Sequence, residues 1–531
     1  MGTYLNPGKK GFETILNSLY IDKTGLIDYV NSTLNTPLKL TCFSRPRRFG
    51  KSFAAKMLCA YYDRSCDSQD LFTDLEIAEK PSFAEHLNRY DVIYIDITWF
   101  ISRSKTRKTH ILSDMQIAVI DELKERFPAF VKENEVYLPD ALTGISQKTQ
   151  RKFFVIIDEW DALFREAKDD EKLQEDYVQL LRGLFKGGTA TDETIIGAYM
   201  TEILPIKKYG TESALTDFQE YTMVNPDELL PYVGFSETEV QRLCEQTGAD
   251  YEKMRCWYDG YSFENAESVY NPNSVMLAIR KKKFRNYWRA SETFESLKSY
   301  ITSGFDGLKD AIIMMLGGQR VKVDTSTFQN DIVSLDSRDD VLTLLVHLGY
   351  LAYDVDKEEV YIPNLEVADA FKTAVKSTKW NEVNKALSHS DNLLKATIQG
   401  DAQAVAEALE LAHETCTSSL EYNDENALSC AILLAYYTAQ NYYEIFRELP
   451  TGKGFADYAF IPRKYTDKPA LLIELKFNKS ADTAIRQIHD NRYDGKLKGF
   501  GGRMLLVGVN YDKDAKGVQK KHHTCIIEEM K

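Results

Sequence analysis

What the chain lacks narrows its class first. Its 8 cysteines include no Cys-x-x-Cys pair, so neither a disulfide framework nor a thiolate zinc site is expected, and the thiols read as reduced. No stretch approaches the roughly 20 apolar residues of a membrane helix. The start Met1-Gly2-Thr3-Tyr4-Leu5-Asn6-Pro7 has no apolar run of the signal-peptide kind. A cytoplasmic protein with no membrane partner is expected. Positive charge is also in deficit: Lys plus Arg total 66 against 80 Asp plus Glu, a formal charge of -14. Any nucleic-acid contact must then come from local basic patches rather than the overall field. No internal repeat or low-complexity tract stands out.

What is present is globular material. Hydrophobic residues make up 44% and charged residues 27%, values that argue against disorder and fibre. At 531 residues the chain exceeds one ordinary core and has room for about three domains.

Residues 38–52 form the first informative stretch. Leu38-Lys39-Leu40-Thr41-Cys42-Phe43-Ser44 reads as an apolar strand, and Arg45-Pro46-Arg47-Arg48-Phe49 as a basic turn. Gly50-Lys51-Ser52 then opens a helical run. This is the layout of a phosphate-binding loop, except that Arg45 stands where the common pattern has a second glycine. Amides at a helix start, the helix dipole, Lys51 as a point charge and the Ser52 hydroxyl as a magnesium ligand all suit a phosphate. The plainer reading is a basic surface turn before a helix.

Tyr90-Asp91-Val92-Ile93-Tyr94-Ile95-Asp96-Ile97 reads as a second strand, and residues 111–130 as a helix. Phe153-Phe154-Val155-Ile156-Ile157 is continuously apolar, as a strand buried on both faces of a parallel sheet is, and ends in Asp158-Glu159. A carboxylate pair there sits where open α/β sheets bind ligands. Asp158 would hold magnesium and Glu159 would orient the attacking water. A solvated strand end is the alternative for either alone; the order of the two motifs favours the nucleotide site. Thr194-Ile195-Ile196-Gly197-Ala198-Tyr199-Met200 predicts another strand, leaving Thr201 either near the terminal phosphate or as a simple turn cap.

The middle of the chain turns helical, with Ser236-Glu237-Thr238-Glu239 as a helix start. The aromatic turns Trp257-Tyr258-Asp259-Gly260-Tyr261 and Tyr270-Asn271-Pro272 read as packed corners. The basic run Arg280-Lys281-Lys282-Lys283-Phe284-Arg285 reads as a solvated helix end, with phosphate contact the sharper alternative. A helix over 339–348 followed by a strand pair outlines a winged helix, whose acidic tip favours packing over DNA contact. Residues 380–415 read as a helical connector.

A second chemical centre lies near the end. Phe455-Ala456-Asp457-Tyr458-Ala459-Phe460-Ile461 and Ala470-Leu471-Leu472-Ile473-Glu474-Leu475-Lys476 predict two strands joined by a charged turn. Strand alternation puts Glu474 and Lys476 on one face, opposite Leu471, Ile473 and Leu475. Asp457 beside Glu474 would supply two hard oxygen ligands for magnesium, and Lys476 would position a water, the apparatus of phosphodiester hydrolysis. A solvent-facing charge pair is the alternative. Glu425 supplies an upstream carboxylate, and a helix over 481–493 carries Gln487. Strands are expected at 503–509 and 524–527.

Taken in order, Tyr20-Ile21-Asp22-Lys23-Thr24, Arg45-Pro46-Arg47-Arg48-Phe49-Gly50-Lys51-Ser52, Ile156-Ile157-Asp158-Glu159, Trp257-Tyr258-Asp259-Gly260-Tyr261, Gly349-Tyr350-Leu351 and Pro363-Asn364-Leu365-Glu366-Val367 resemble the AAA-ATPase-like family that carries a C-terminal PD-(D/E)XK nuclease-superfamily domain. Within that resemblance Arg45 is part of the phosphate loop, and Ser52 replaces the commoner Thr. The nuclease pattern carries over to Asp457, Glu474 and Lys476, with Glu425 similar to the helix glutamate and Gln487 to the post-strand glutamine. Ala456 stands where the pattern has proline.

The implied fold is α/β. Its parts are a P-loop AAA-like ATPase core (1–225), a helical lid (226–300), a winged-helix-like region (301–378), a helical connector (379–415) and a restriction-endonuclease-like PD-(D/E)XK domain (416–531). The resemblance implies an ATP-binding loop made of Arg45, Arg47, Arg48, Phe49, Gly50, Lys51 and Ser52 with Asp158 and Thr201. It also implies magnesium at Ser52 and Asp158, and magnesium or manganese at Asp457 and Glu474. The expected partner is nucleic acid, with DNA the first candidate, and self-association into a homo-oligomer fits such a core. The rival is a nucleotide-controlled sensor or scaffold whose C-terminal fold binds nucleic acid or protein without cutting.

Overall fold

The computed structural model describes residues 2–107, 110–167, 169–205, 217–232, 234–263, 268–288, 293–328, 335–378, 380–416, 432–451, 454–490, 502–513 and 522–530. The chain groups into two compact units. One comprises Met1–Leu243, Tyr261–Met276 and Val323–Glu358, the other Cys244–Gly260, Leu277–Lys322 and Glu359–Lys531. The stretch expected to form lid and winged helix is thus shared between them.

The first unit is built on a five-stranded sheet of β1 (Leu40–Ser44), β2 (Asp91–Asp96), β3 (Phe153–Asp158), β4 (Ile195–Glu202) and β5 (Gln219–Tyr221). The strands run in the order β2-β3-β4-β1-β5, each pair parallel. Every residue of β1, β3 and β4 is buried, which explains the unbroken apolar run Phe153–Ile157. Helices Ile111–Arg126, Leu138–Thr149 and Glu171–Phe185 lay Met115, Val119, Leu142, Ile145, Tyr177 and Leu181 into one core with Ile93, Val155 and Met200. Parallel strands place all their carboxyl ends on one edge, so the loop after β1 and Asp158 at the end of β3 share that edge.

Further along, β6 (Phe235–Ser236) pairs with β7 (Val269–Tyr270). The helix Glu237–Thr247 starts at the expected place through a reciprocal cap: Ser236 N–H donates to Glu239 Oε2 at 2.8 Å, and Glu239 N–H to Ser236 Oγ at 3.3 Å. The aromatic turns are packed corners: Tyr258, Tyr261 and Tyr270 are among the largest fully buried side chains. Gly260, at φ +107, passes so close to Pro363 that a Cβ would strike its carbonyl oxygen. The basic run does close a helix, Pro272–Lys281. In chain order there follow β8 (Val321–Lys322), the helix Arg338–His347, β9 (Ala352–Asp354), β10 (Glu359–Tyr361) and the helix Leu365–Lys376, the helix-hairpin-helix outline read from the sequence.

The second unit carries another five-stranded sheet. Its strands are β11 (Tyr443–Thr451), β12 (Gly454–Pro462), β13 (Ala470–Phe477), β14 (Met504–Tyr511) and β15 (His523–Met530), in sequential order. Only β13 and β14 pair in parallel, and the helix Ala481–Asp490 makes the crossover between them. One face buries Leu471, Ile473 and Leu475 with Val507 and Val509 against Leu393, Leu394, Val405 and Leu409. Those last four belong to helices Asn381–Gln399 and Ala402–Cys416, so the stretch expected to be a connector contributes to this core. The other face packs Leu472 and Leu506 on Ile485 and Ile488. Among the described residues no helix is long and apolar enough to cross a membrane.

Candidate nucleotide and nuclease sites

The loop after β1 closes on a left-handed residue. Gly50 caps the helix Lys51–Tyr62 at φ +87, with no atom within 4 Å of where its Cβ would stand, so conformation alone demands glycine. Lys51 folds back over the loop, its Nζ donating to Arg45 O at 2.6 Å and Pro46 O at 2.9 Å. Burial pushes its pKa down to about 8 against the pull of Glu159, Asp161 and Asp158. Two carbonyls are weak partners for a buried ammonium, and an anion in the loop would be a stronger one. Ser52 follows, half-buried, in the first turn. Phe49 is buried and meets the Tyr261 ring edge-on at 5.5 Å, while Tyr261 OH donates to Gly349 O at 2.7 Å.

Arg45 takes a different course from the phosphate contact expected of it. Its guanidinium is buried over the Phe43 ring, 4.7 Å from the centroid, and donates to Ser44 O at 3.0 Å and Thr222 O at 2.6 Å. Burial pushes its pKa down to about 9. The side chain braces the loop against the segment after β5. Arg47 is half-buried and Arg48 exposed, the latter at φ +71.

Asp158 is buried at the end of β3. One carboxylate oxygen accepts a short hydrogen bond from Thr201 Oγ1, and the other accepts from Tyr94 OH at 3.0 Å. Because β4 lies between β1 and β3, with Thr201 in register with Phe43, Thr201 stands between the loop strand and Asp158. Glu159 turns out of the strand at φ +51, its N–H donating to Thr201 Oγ1 at 3.0 Å. Its carboxylate lies 2.8 Å from Arg165 Nη2, and Arg165 also pairs with Asp161 at 2.9 Å. Burial works against the guanidinium's charge, but Asp161 and Glu159 outweigh it and hold its pKa up. Beside them Trp160 Nε1 donates to Glu202, whose carboxyl burial pushes well above the usual range.

In the second unit, β12 and β13 pair from Phe460 opposite Leu471 to Tyr458 opposite Ile473. One step on, the Asp457 carboxylate takes over from the ladder and accepts Leu475 N–H at 2.6 Å. Glu474 is 1% and Lys476 8% exposed, on the shared face that alternation predicts. Lys476 Nζ lies 2.8 Å from Glu474 Oε1 and donates to Leu475 O at 3.0 Å. Glu474 Oε2 is buried and has no hydrogen-bond partner among the described residues. Burial and the Asp457 carboxylate push the Glu474 pKa up, while Lys476 pulls it back.

An orphaned carboxylate oxygen beside a second carboxylate suits a hard divalent cation, so the residues present fit such an ion. Among the described residues no group of three or more His, Cys, Asp or Glu is arranged to hold a metal. Glu425 lies outside the described residues. Gln487 is half-buried on the helix Ala481–Asp490, and among the described residues no hydrogen bond joins it to Asp457, Glu474 or Lys476.

Three residues passed over in the sequence touch these sites: Tyr94 on Asp158, Arg165 on Glu159, and Asn510. Asn510 lies opposite Lys476 on β14, buried, with its Oδ1 accepting Lys479 N–H at 2.9 Å. Its signal was strand alternation from Gly508, which faces Glu474. A Cβ on Gly508 would stand 2.7 Å from Ala481 O, so the missing side chain is what admits the crossover helix.

Residues 8–211 match the family model of a predicted AAA-ATPase, and residues 424–521 that of the PD-(D/E)XK nuclease superfamily. An uncharacterized protein from the vnfD 5′ region of Azotobacter chroococcum is 21% identical over 519 residues, covering 94% of either chain. Among solved structures, a Walker-type ATPase of Pyrococcus abyssi is 12% identical with a TM-score of 0.31, covering 66% of this chain and 94% of its own. The ORC2 protein of Aeropyrum pernix is 11% identical with a TM-score of 0.25, covering 67% and 94%. The chain therefore carries a segment that matches a predicted AAA-ATPase domain, followed by a C-terminal segment that matches the PD-(D/E)XK nuclease superfamily.

Proposed function

We propose that this protein is an ATP-controlled, magnesium-dependent nuclease that cleaves phosphodiester bonds in DNA, in defence against foreign DNA or in the biology of mobile elements. The observation that carries the reading is the Oε2 of buried Glu474, unpartnered among the described residues, on a carboxylate that feels Asp457 and pairs with Lys476 through Oε1. Asp457 and Glu474 would hold a divalent ion, magnesium or manganese. Such an ion, when bound, lowers the pKa of water and offsets the charge that builds on a phosphodiester under attack. Lys476 orients the attacking water, its ammonium kept in place by Glu474 and Leu475 O. Gln487, on the helix Ala481–Asp490, and Glu425 would assist.

In the first unit, ATP would lie on the helix start after Gly50, with Lys51 leaving the loop carbonyls for the terminal phosphates. Ser52 and Asp158 would hold the nucleotide's magnesium, and Thr201 ties Asp158 to the backbone of Glu159. Glu159 then orients water for hydrolysis once it parts from Arg165. Turnover at this loop controls cleavage in the second unit, and self-association of the ATPase domain is part of the same reading.

The test uses the purified full chain on plasmid DNA, single-stranded DNA and RNA, with magnesium or a chelator and with or without ATP. The expected result is magnesium-dependent nicking that Lys476→Ala abolishes while ATP turnover is unchanged. Equal nicking by that variant would overturn the assignment. ATP binding without cleavage of any substrate would favour a nucleotide-controlled sensor instead.

A further inference from the structure

A cavity of about 330 Å³ in the second unit belongs to neither centre described above. Two helices aim stripes into it. Lys253 and Trp257 stand one turn apart on Tyr251–Tyr258, and Asp369 and Lys372 on Leu365–Lys376. Tyr437, Tyr442 and Tyr465 complete an aromatic wall.

Ammonium groups attend these rings. Lys372 Nζ lies 5.0 Å from the Tyr437 centroid, Lys253 Nζ 5.4 Å from that of Tyr465, and Lys468 Nζ 4.5 Å from that of Tyr442. Two of the rings are pinned: Tyr437 OH donates to Ala368 O at 3.0 Å and Tyr465 OH to Asn441 O at 3.1 Å. Their orientation is set before any ligand arrives, which lowers the entropic cost of binding. Burial, with help from Lys376, holds the Lys372 pKa down against Asp369 and Asp391, so an incoming anion would stabilise its charged form.

Lys253 Nζ also pairs with Asp250 at 3.2 Å; a purely apolar ligand would make no use of Lys372, and a cationic one would be repelled by both lysines. Flat aromatic faces with ammonium groups alongside suit a planar ring that carries an anion. We propose that this cavity binds one nucleotide, its base stacked on Trp257 and its phosphate on Lys253 and Lys372. Asp369, already accepting from Asn286 Nδ2 at 3.1 Å, can also accept from an exocyclic amine of the base. The same chemistry is offered by a free mononucleotide and by an unstacked nucleotide of a single strand.

The test measures binding by fluorescence anisotropy to the full chain carrying Lys51→Ala, which disables the phosphate loop. A chelator is present, so the result does not depend on whether Asp457 and Glu474 support cleavage. The probes are a labelled adenine mononucleotide and a labelled short oligodeoxyadenylate, whose bases carry the exocyclic amine. Trp257→Ala should weaken binding about tenfold, as loss of one stacked base does, and Trp257→Phe should restore most of it. Lys372→Met should weaken binding and flatten its salt dependence. Loss for the oligonucleotide alone would identify a single strand as the source, and loss for the mononucleotide alone a free nucleotide. If neither probe binds the parent, or if Lys372→Met and a folded Trp257→Ala bind like it, the proposal is overturned.

Discussion

Arg165 Nη2 stands 2.8 Å from Glu159 Oε2, so the carboxylate proposed to orient water for ATP hydrolysis is held by its own neighbour. The same guanidinium neutralises buried Asp161, whose carboxylate also accepts the N–H groups of Ile203 and Leu204. One arginine thus holds both Glu159 and the Asp161 carboxylate that anchors the chain after β4.

Separating those roles gives the first prediction. Glu159→Gln should lower ATP turnover by about 100-fold or more, the usual worth of a general base, and leave labelled-ATP affinity unchanged. Arg165→Ala should instead cost about 3–5 kcal/mol in urea unfolding, because it strands a buried carboxylate.

The phosphate loop is anchored by an aromatic contact at Phe49. Phe49→Ala removes the ring from its place against Tyr261 and should cost about 3–5 kcal/mol of stability. Nucleotide titration should show weaker ATP binding by this variant at temperatures where it remains folded.

Gly508 admits the crossover helix to the sheet beside Glu474. Gly508→Ala forces Ala481 and Ile485 away and should cost about 1–3 kcal/mol in urea unfolding. Plasmid nicking should fall more than the folded fraction does, since the displaced face holds Glu474 and Lys476.

His347 ties stability to pH. It is buried against the Phe328 ring, and burial, with the Arg45 guanidinium nearby, pushes its pKa from the ordinary 6.5 down to about 3. As pH falls below 6.5 the unfolded chain takes up this proton and the folded one does not. Stability from this group is therefore complete above 6.5 and is lost on acidification towards 3. Between pH 7 and pH 5 the parent should lose about 2 kcal/mol more than His347→Gln, read by urea unfolding at each pH.

Chemistry confined to a few adjacent residues was legible without coordinates. Gly50-Lys51-Ser52 after a strand, Asp158-Glu159 ending one, and Glu474 and Lys476 two apart on another follow from local periodicity, and all lie on the elements expected. β11 and β5 were not legible. Tyr443–Thr451 has charges and a proline among its apolar residues, and its pairing with β12 rather than its own pattern makes it a strand. Gln219–Tyr221 spans three residues, too few for any period to show.

Tertiary structure decided what the charged groups do. Arg45 lies within the loop motif, yet a carbonyl at Thr222, far along the chain, turns its guanidinium beneath the loop. Thr201 joins Asp158 only because β4 inserts between β1 and β3, and sheet order is not encoded in any one strand. Likewise Asp457 meets Leu475 N–H where the ladder between β12 and β13 ends. The sequence by itself determined which residues stand at strand ends, helix starts and one strand face, because strand and helix periods are local. Only the fold decided which are braced, clamped or left with an open lone pair, because those partners are brought together by long-range packing.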